Sequence, residues 1–134
     1  MTMGQLLMHL TSACGASFRG FVTGDWGMPE GADVGEMSAD EMLPPAEKLP
    51  AAASVSQAKE LLAEDRELAR RMLAEAGEKR LAEQNASAPW DPRPMLLGHR
   101  LLEMVGHLGS HKSHLFYYLK LQGVPVNTGH LWAT

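Results

Sequence analysis

The stretch at residues 94–122 constrains the fold more than any other. Leu97, Leu101, Met104, Val105, Leu108, Leu115, Phe116 and Leu119 recur along it at helical spacing. One apolar stripe therefore runs the length of a long helix. Pro94 suits the first turn of that helix, and Gly123 with Pro125 beyond it marks the end. His107 and His111 lie on it four residues apart, a spacing that stacks two imidazoles on one face, one turn apart. His111 borders the apolar stripe, His107 lies about 40° further round, and Tyr118 falls between them. Lys112 projects into the apolar arc, which is inconsistent with burial unless its ammonium snorkels outward.

The same periodicity gives two more helices. The first starts at a T-x-x-Q capping box, Thr2 with Gln5. Its stripe is Met3, Leu6, Leu7, Leu10, Cys14, Ser17, Phe18 and Phe21, and it ends at Gly24. His9 sits just off the edge of this stripe, beside Ala13, Ala16 and Gly20, whose small side chains admit a neighbouring helix. The second helix covers residues 55–76, opened by Ser54 and Gln57 and closed by Gly77 as a left-handed cap. Val55, Ala58, Leu61, Leu62, Leu68, Ala69, Met72, Leu73 and Ala76 form its expected buried stripe, with Glu67 and Arg71 as an exposed i,i+4 pair. Residues 27–53 and 78–92 read as irregular connections, the first broken by Gly31, Gly35, Pro44, Pro45 and Pro50, with one short turn over 38–42. A connection as long as 27–53 in a small helical domain suggests a crossover.

Composition narrows the class. At 134 residues the chain is the size of one domain, 1–134. It contains no isoleucine and few Val or Thr runs, which disfavours strands. The expected fold is all-α, three long helices resembling a four-helix bundle with one member absent. The net charge of −4 leaves no basic footprint for nucleic acid. No run of about 18 apolar residues predicts a membrane span, and no secretory leader is visible. Cytoplasmic residence is the default expectation. Cys14, the single cysteine, lies among apolar residues and reads as a buried thiol.

Chemistry concentrates in the histidines. If the first and last helices pack together, His9, His107 and His111 can point into one cleft. Three neutral imidazoles with an open position suit a divalent Zn, Ni or Fe ion and Lewis-acid activation of water or a thiol. The bland alternative is polar residues on helix edges. His114 is a candidate supporting donor or an exposed residue. Glu103, one turn before His107, is a candidate acceptor or acid/base, or simply a surface glutamate. His99 reads as surface, and His130 as a capping or solvent residue. No H-E-x-x-H, Gly-rich phosphate loop or G-x-S-x-G occurs.

These residues resemble a known family. Residues 3–10, Met-Gly-Gln-Leu-Leu-Met-His-Leu, look like the helix bearing the first metal histidine of the DinB/YfiT-like superfamily. Residues 107–126 look like its C-terminal helix, with H-x-x-x-H-[RK]-x-Q-L, then Y-L-[RK] and a Gly-x-Pro turn. The resemblance implies a four-helix bundle holding a metal through His9, His107 and His111. It also implies a metal-dependent enzyme acting on a small molecule, either a hydrolase or a thiol-S-transferase. Some subgroups transfer low-molecular-weight thiols or isomerise their adducts; others are known only as damage-inducible proteins. His114 stands where the pattern usually has glutamine. The family's first helix precedes the His9 helix and has no counterpart here, so either residues lie upstream or another subunit supplies the packing.

The resulting expectation is a DinB-like metal-dependent enzyme, with Tyr118, His114 and Glu103 supporting the three ligands. The rival is a non-catalytic helical interaction module with a structural or vestigial metal site. Three broad apolar stripes and no fourth helix to cover them predict a homodimer.

Overall fold

The computed structural model describes residues 1–28, 37 and 39–132, with only the backbone given at 39 and 40. The expectations for Gly31, Gly35 and Ser38 lie outside the described residues. The first helix, α1, spans Met3–Leu10 and opens on the Thr2–Gln5 capping box: the Gln5 amide donates to Thr2 Oγ1 at 3.2 Å, and the Thr2 amide donates to Gln5 Oε1 at 2.7 Å. The helix does not continue to Gly24. It breaks over residues 11–14, and α2 restarts at Gly15–Thr23.

The break has a chemical cause in α4, Val55–Glu83, which comes after a short α3, Ala39–Met42, and a 3-10 turn, Ala46–Lys48. Asp65 of α4 is buried and directed at the start of α2. Its carboxylate accepts from the amides of Cys14 at 3.1 Å, Gly15 at 2.8 Å and Ala16 at 3.1 Å. A buried carboxylate needs donors, and a fresh helix N-terminus offers unpaired amides and the favourable end of the dipole. A continuous first helix would have kept those amides for itself. Gly15 is required here, because a β-carbon would collide with the Asp65 backbone carbonyl. At the far end of α2, Arg80 donates to the Val22 carbonyl at 2.7 Å.

Helix α4 begins as expected, the Gln57 amide donating to Ser54 Oγ at 3.1 Å. It does not stop at Gly77. That residue takes φ 66 and ψ 164, a conformation nearly confined to glycine, and the chain kinks and resumes helix to Glu83. Glu67 pairs with Arg66 at 3.2 Å and Arg70 at 3.9 Å, in place of the expected Arg71.

Residues 78–92 are not an irregular connection either. After α4 come β1, Asn85–Ala88, and β2, Asp91–Leu96, an antiparallel hairpin with a register shift between Ala86 and Ala88. Pro92 and Pro94 lie in β2, tolerable in a two-stranded ribbon where every strand is an edge. Strand propensity does not explain the hairpin; Arg100 does. Its guanidinium, 2% exposed, donates to Asp91 Oδ2 at 3.1 Å, Glu103 Oε2 at 2.9 Å and the carbonyls of Ala86, Asp91 and Arg93. Asp91 is held well below the usual carboxylate range, chiefly by its hydrogen bond from Arg93.

Helix α5 therefore spans Leu97–Leu121, later than Pro94 suggested, and ends at Gly123 with φ 77. A last turn, α6, covers Thr128–Trp132. The Lys112 ammonium lies 5.0 Å from the Trp132 ring, a cation–π contact that resolves its placement in the apolar arc. The core joins α2, α4, the hairpin and α5 through Cys14, Phe18, Phe21, Ala76, Ala88, Leu97 and Leu101. Not all of the expected stripe is covered. Val55, Leu62 and Leu73 on α4 and Val105 on α5 are exposed, because both helices pack mainly on α1 and α2 and leave a groove between themselves. Among the described residues the fold is all-α apart from this hairpin, and no described helix is long and apolar enough to cross a membrane.

Candidate metal centre

Helix α1 packs against α5, and that contact places His9 over His107 and His111. The Tyr118 hydroxyl donates to the Met1 carbonyl at 3.1 Å, fastening the start of α1 to α5. His9 Nε2 and His107 Nε2 are 3.0 Å apart. The ring centroids lie 5.2 Å apart for His9–His107, 4.6 Å for His9–His111 and 4.4 Å for His107–His111, with planes crossed by 75° to 83°. One nitrogen from each ring falls within 4.8 Å of the other two. Tetrahedral zinc with Zn–N bonds of about 2.0–2.1 Å holds its nitrogens roughly 3.4 Å apart, so small side-chain adjustments suffice.

The electrostatics favour neutral rings. Burial lowers His9, with His107 adding to the effect, and burial lowers His107. His111 is pulled down to about 4, by burial first and then by the charges of His107, His9 and His114. Three imidazoles unprotonated at neutral pH, with nitrogens converging on one point, fit the donor set of a divalent ion. Among the described residues they form the one group of three metal-capable side chains that converges in this way.

The other candidates from the sequence take different places. His114 is exposed and contacts His111, Nδ1 to Nδ1 at 3.3 Å. An Nδ1 engaged in that way leaves the Nε2 of His111 for an ion, the usual role of a partner to a ligating histidine. Tyr118 acts through its tie to Met1. Glu103 accepts from Arg100 and belongs to the hairpin anchor. His99 is exposed, and His130 accepts from the Asn127 amide at 3.2 Å at the start of α6. Sequence reasoning missed Asp65 and Arg100. Nothing in their local pattern separates them from the solvated charges around them. A cavity of about 380 Å³ also has no signature in the sequence; it opens beside His9 and is lined by Met8, Thr11, Ser12, Leu49, Pro50 and Leu61.

Helical fold and converging histidines together define a class: all-α proteins with a three-imidazole cluster set between two helices. The profile of the DinB superfamily matches residues 1–125, and the chain belongs to that superfamily. No curated protein and no solved structure matches the chain.

Proposed function

We propose that this protein is a divalent-metal-dependent enzyme acting on a small molecule, with His9, His107 and His111 as the metal ligands. The observation that carries the reading is the convergence of three imidazole nitrogens from α1 and α5 within 4.8 Å. Zinc, nickel and iron are all compatible with an imidazole set, and such an ion supplies Lewis acidity toward water or a thiol. The protein's own part is threefold. The α1–α5 packing fixes ligand spacing, burial keeps the rings neutral, and His114 orients His111.

The cavity beside His9 is the proposed substrate site. Apart from His9, its lining holds apolar groups and the hydroxyls of Thr11 and Ser12, with no Lys, Arg, Asp or Glu. The Thr11 hydroxyl already donates to the Met8 carbonyl at 2.6 Å, which leaves Ser12 the freer of the two. A small, weakly polar substrate suits such walls better than a highly charged one.

The reading is tested by metal analysis of the purified protein and of His9→Ala. Near-stoichiometric metal in the parent and its loss in the variant is the expected result. Equal metal in both would remove His9 from the site. The 3.0 Å contact between His9 and His107 favours a second reading, a non-catalytic protein whose histidines tie two helices together by a hydrogen bond. Full thermal stability after exhaustive chelation, with no metal rebinding, would support that reading instead.

A further inference from the structure

The groove between α4 and α5 is continuous. One section is lined by Leu10, Val55, Leu62 and Leu115, the next by Phe18, Leu62, Leu73 and Val105, and the last by Phe18, Leu73, Leu102 and Val105. Leu62 joins the first two sections, and Phe18, Leu73 and Val105 join the last two. Exposure along it is high for apolar side chains: 58% at Val55, 46% at Leu73, 51% at Val105 and 67% at Leu102. Contiguous apolar surface of this kind is uncommon on a monomer and marks an interaction site.

We propose that this face docks a second copy of the chain, through a two-fold contact of α4 and α5 with their counterparts. Size is the first argument. From Val55 to Leu73, α4 runs about 27 Å, and two helices side by side span about 20 Å. The flat projection is roughly 500 Å² per copy, so two copies cover at least roughly 1,000 Å², the area a specific interface needs. Shape is the second. Gly106 and Gly109, beside Leu102 and Val105, have open space where a β-carbon would sit, so another helix backbone can approach α5 closely. Charge is the third. Arg66 and Arg70 line the groove and both lean on the exposed Glu67, at 3.2 and 3.9 Å, so this edge of α4 carries both signs of charge. The Asp65 carboxylate is already engaged by three amides and adds no unpaired charge to the groove. A self-complementary surface with mixed charge suits a symmetric mate.

The proposal does not depend on the metal reading. Sedimentation velocity of the full chain at micromolar concentration should give the mass of a dimer. Leu102→Glu and Leu73→Glu should each weaken association at least tenfold, while Leu43→Glu, exposed on the connection before α4 and no part of the groove's lining, should leave it unchanged. Circular dichroism checks that each variant is folded, and Leu102→Ser serves if the glutamate variant is not. A monomeric parent overturns the proposal, whether its groove is bare or mass spectrometry finds an amphiphile or foreign peptide retained there. A parent dimer untouched by changes at both Leu73 and Leu102 overturns it as well.

Discussion

At the scale of single residues, the three histidines are not equivalent in their surroundings. His9 is alone on its helix, so His9→Ala removes the only imidazole that α1 brings to the cluster and, on the proposed reading, should abolish metal binding by elemental analysis. His114→Gln keeps a side chain able to contact His111 Nδ1. Metal affinity in that variant should stay within roughly tenfold of the parent, the mild end of effects at partners of ligating residues. A complete loss would make His114 a direct ligand. Protonation offers a separate test on the metal-free protein. The folded pKa of His111 lies near 4, below the unfolded reference of about 6.5. The folded state thus binds fewer protons, so this contribution is full above the unfolded value and fades as pH falls toward the folded one. Urea midpoints of the apo protein should drop between pH 7 and pH 4. The drop should be smaller in His111→Asn.

At the scale of elements, the two departures from the periodic pattern trace to buried charges. Asp65→Ala would strip three amides at the start of α2 of their acceptor. A cost of about 2–4 kcal/mol in urea unfolding is expected, given the worth of hydrogen bonds to charged groups. Gly77→Ala forces a β-carbon into a backbone conformation nearly confined to glycine, and should cost about 1–3 kcal/mol unless the kink relaxes. The helical stripes, the capping residues and the terminators Gly24 and Gly123 were legible because each rests on neighbours in sequence. The break at 11–14 and the hairpin at 85–96 were not. Asp65 acts on residues 49–51 positions away, and Arg100 anchors the hairpin by contacts formed only once the chain has folded. Local spacing carries no trace of either. Gly77 takes the positive φ that its position suggests and yet does not end the helix, since a positive φ marks a bend and leaves the next residues free to coil again.

At the scale of the whole molecule, the convergence of the three histidines was legible because histidine spacing on α5 and the edge position of His9 are both local facts. Their convergence required only that two apolar stripes meet. The exposure of Val55, Leu62, Leu73 and Val105 was less accessible, since periodicity identifies an apolar face without saying what covers it. A ligand that binds the folded state alone stabilises it by about 2.7 kcal/mol at a hundredfold excess over its dissociation constant. Added zinc, nickel or cobalt should therefore raise the melting temperature of the apo protein. That shift should vanish in His9→Ala and persist in His99→Ala.

The contact between His9 and His107 joins positions 98 residues apart. On the proposed reading, an ion bridging them would close a loop covering most of the chain and act as a removable cross-link of the folded state. Loop closure grows only logarithmically with length, so the cost of so large a ring is modest beyond that of a short one. It must nevertheless be met before the contact yields anything in return, and contacts of such high sequence separation form slowly. The centre should assemble after α4 has docked on α2, the pair held by the Asp65 cap. Refolding monitored by tryptophan fluorescence should then be nearly insensitive to metal, while unfolding slows in its presence. The cluster would in that case set how long the fold persists, and the Asp65 cap how quickly it is reached.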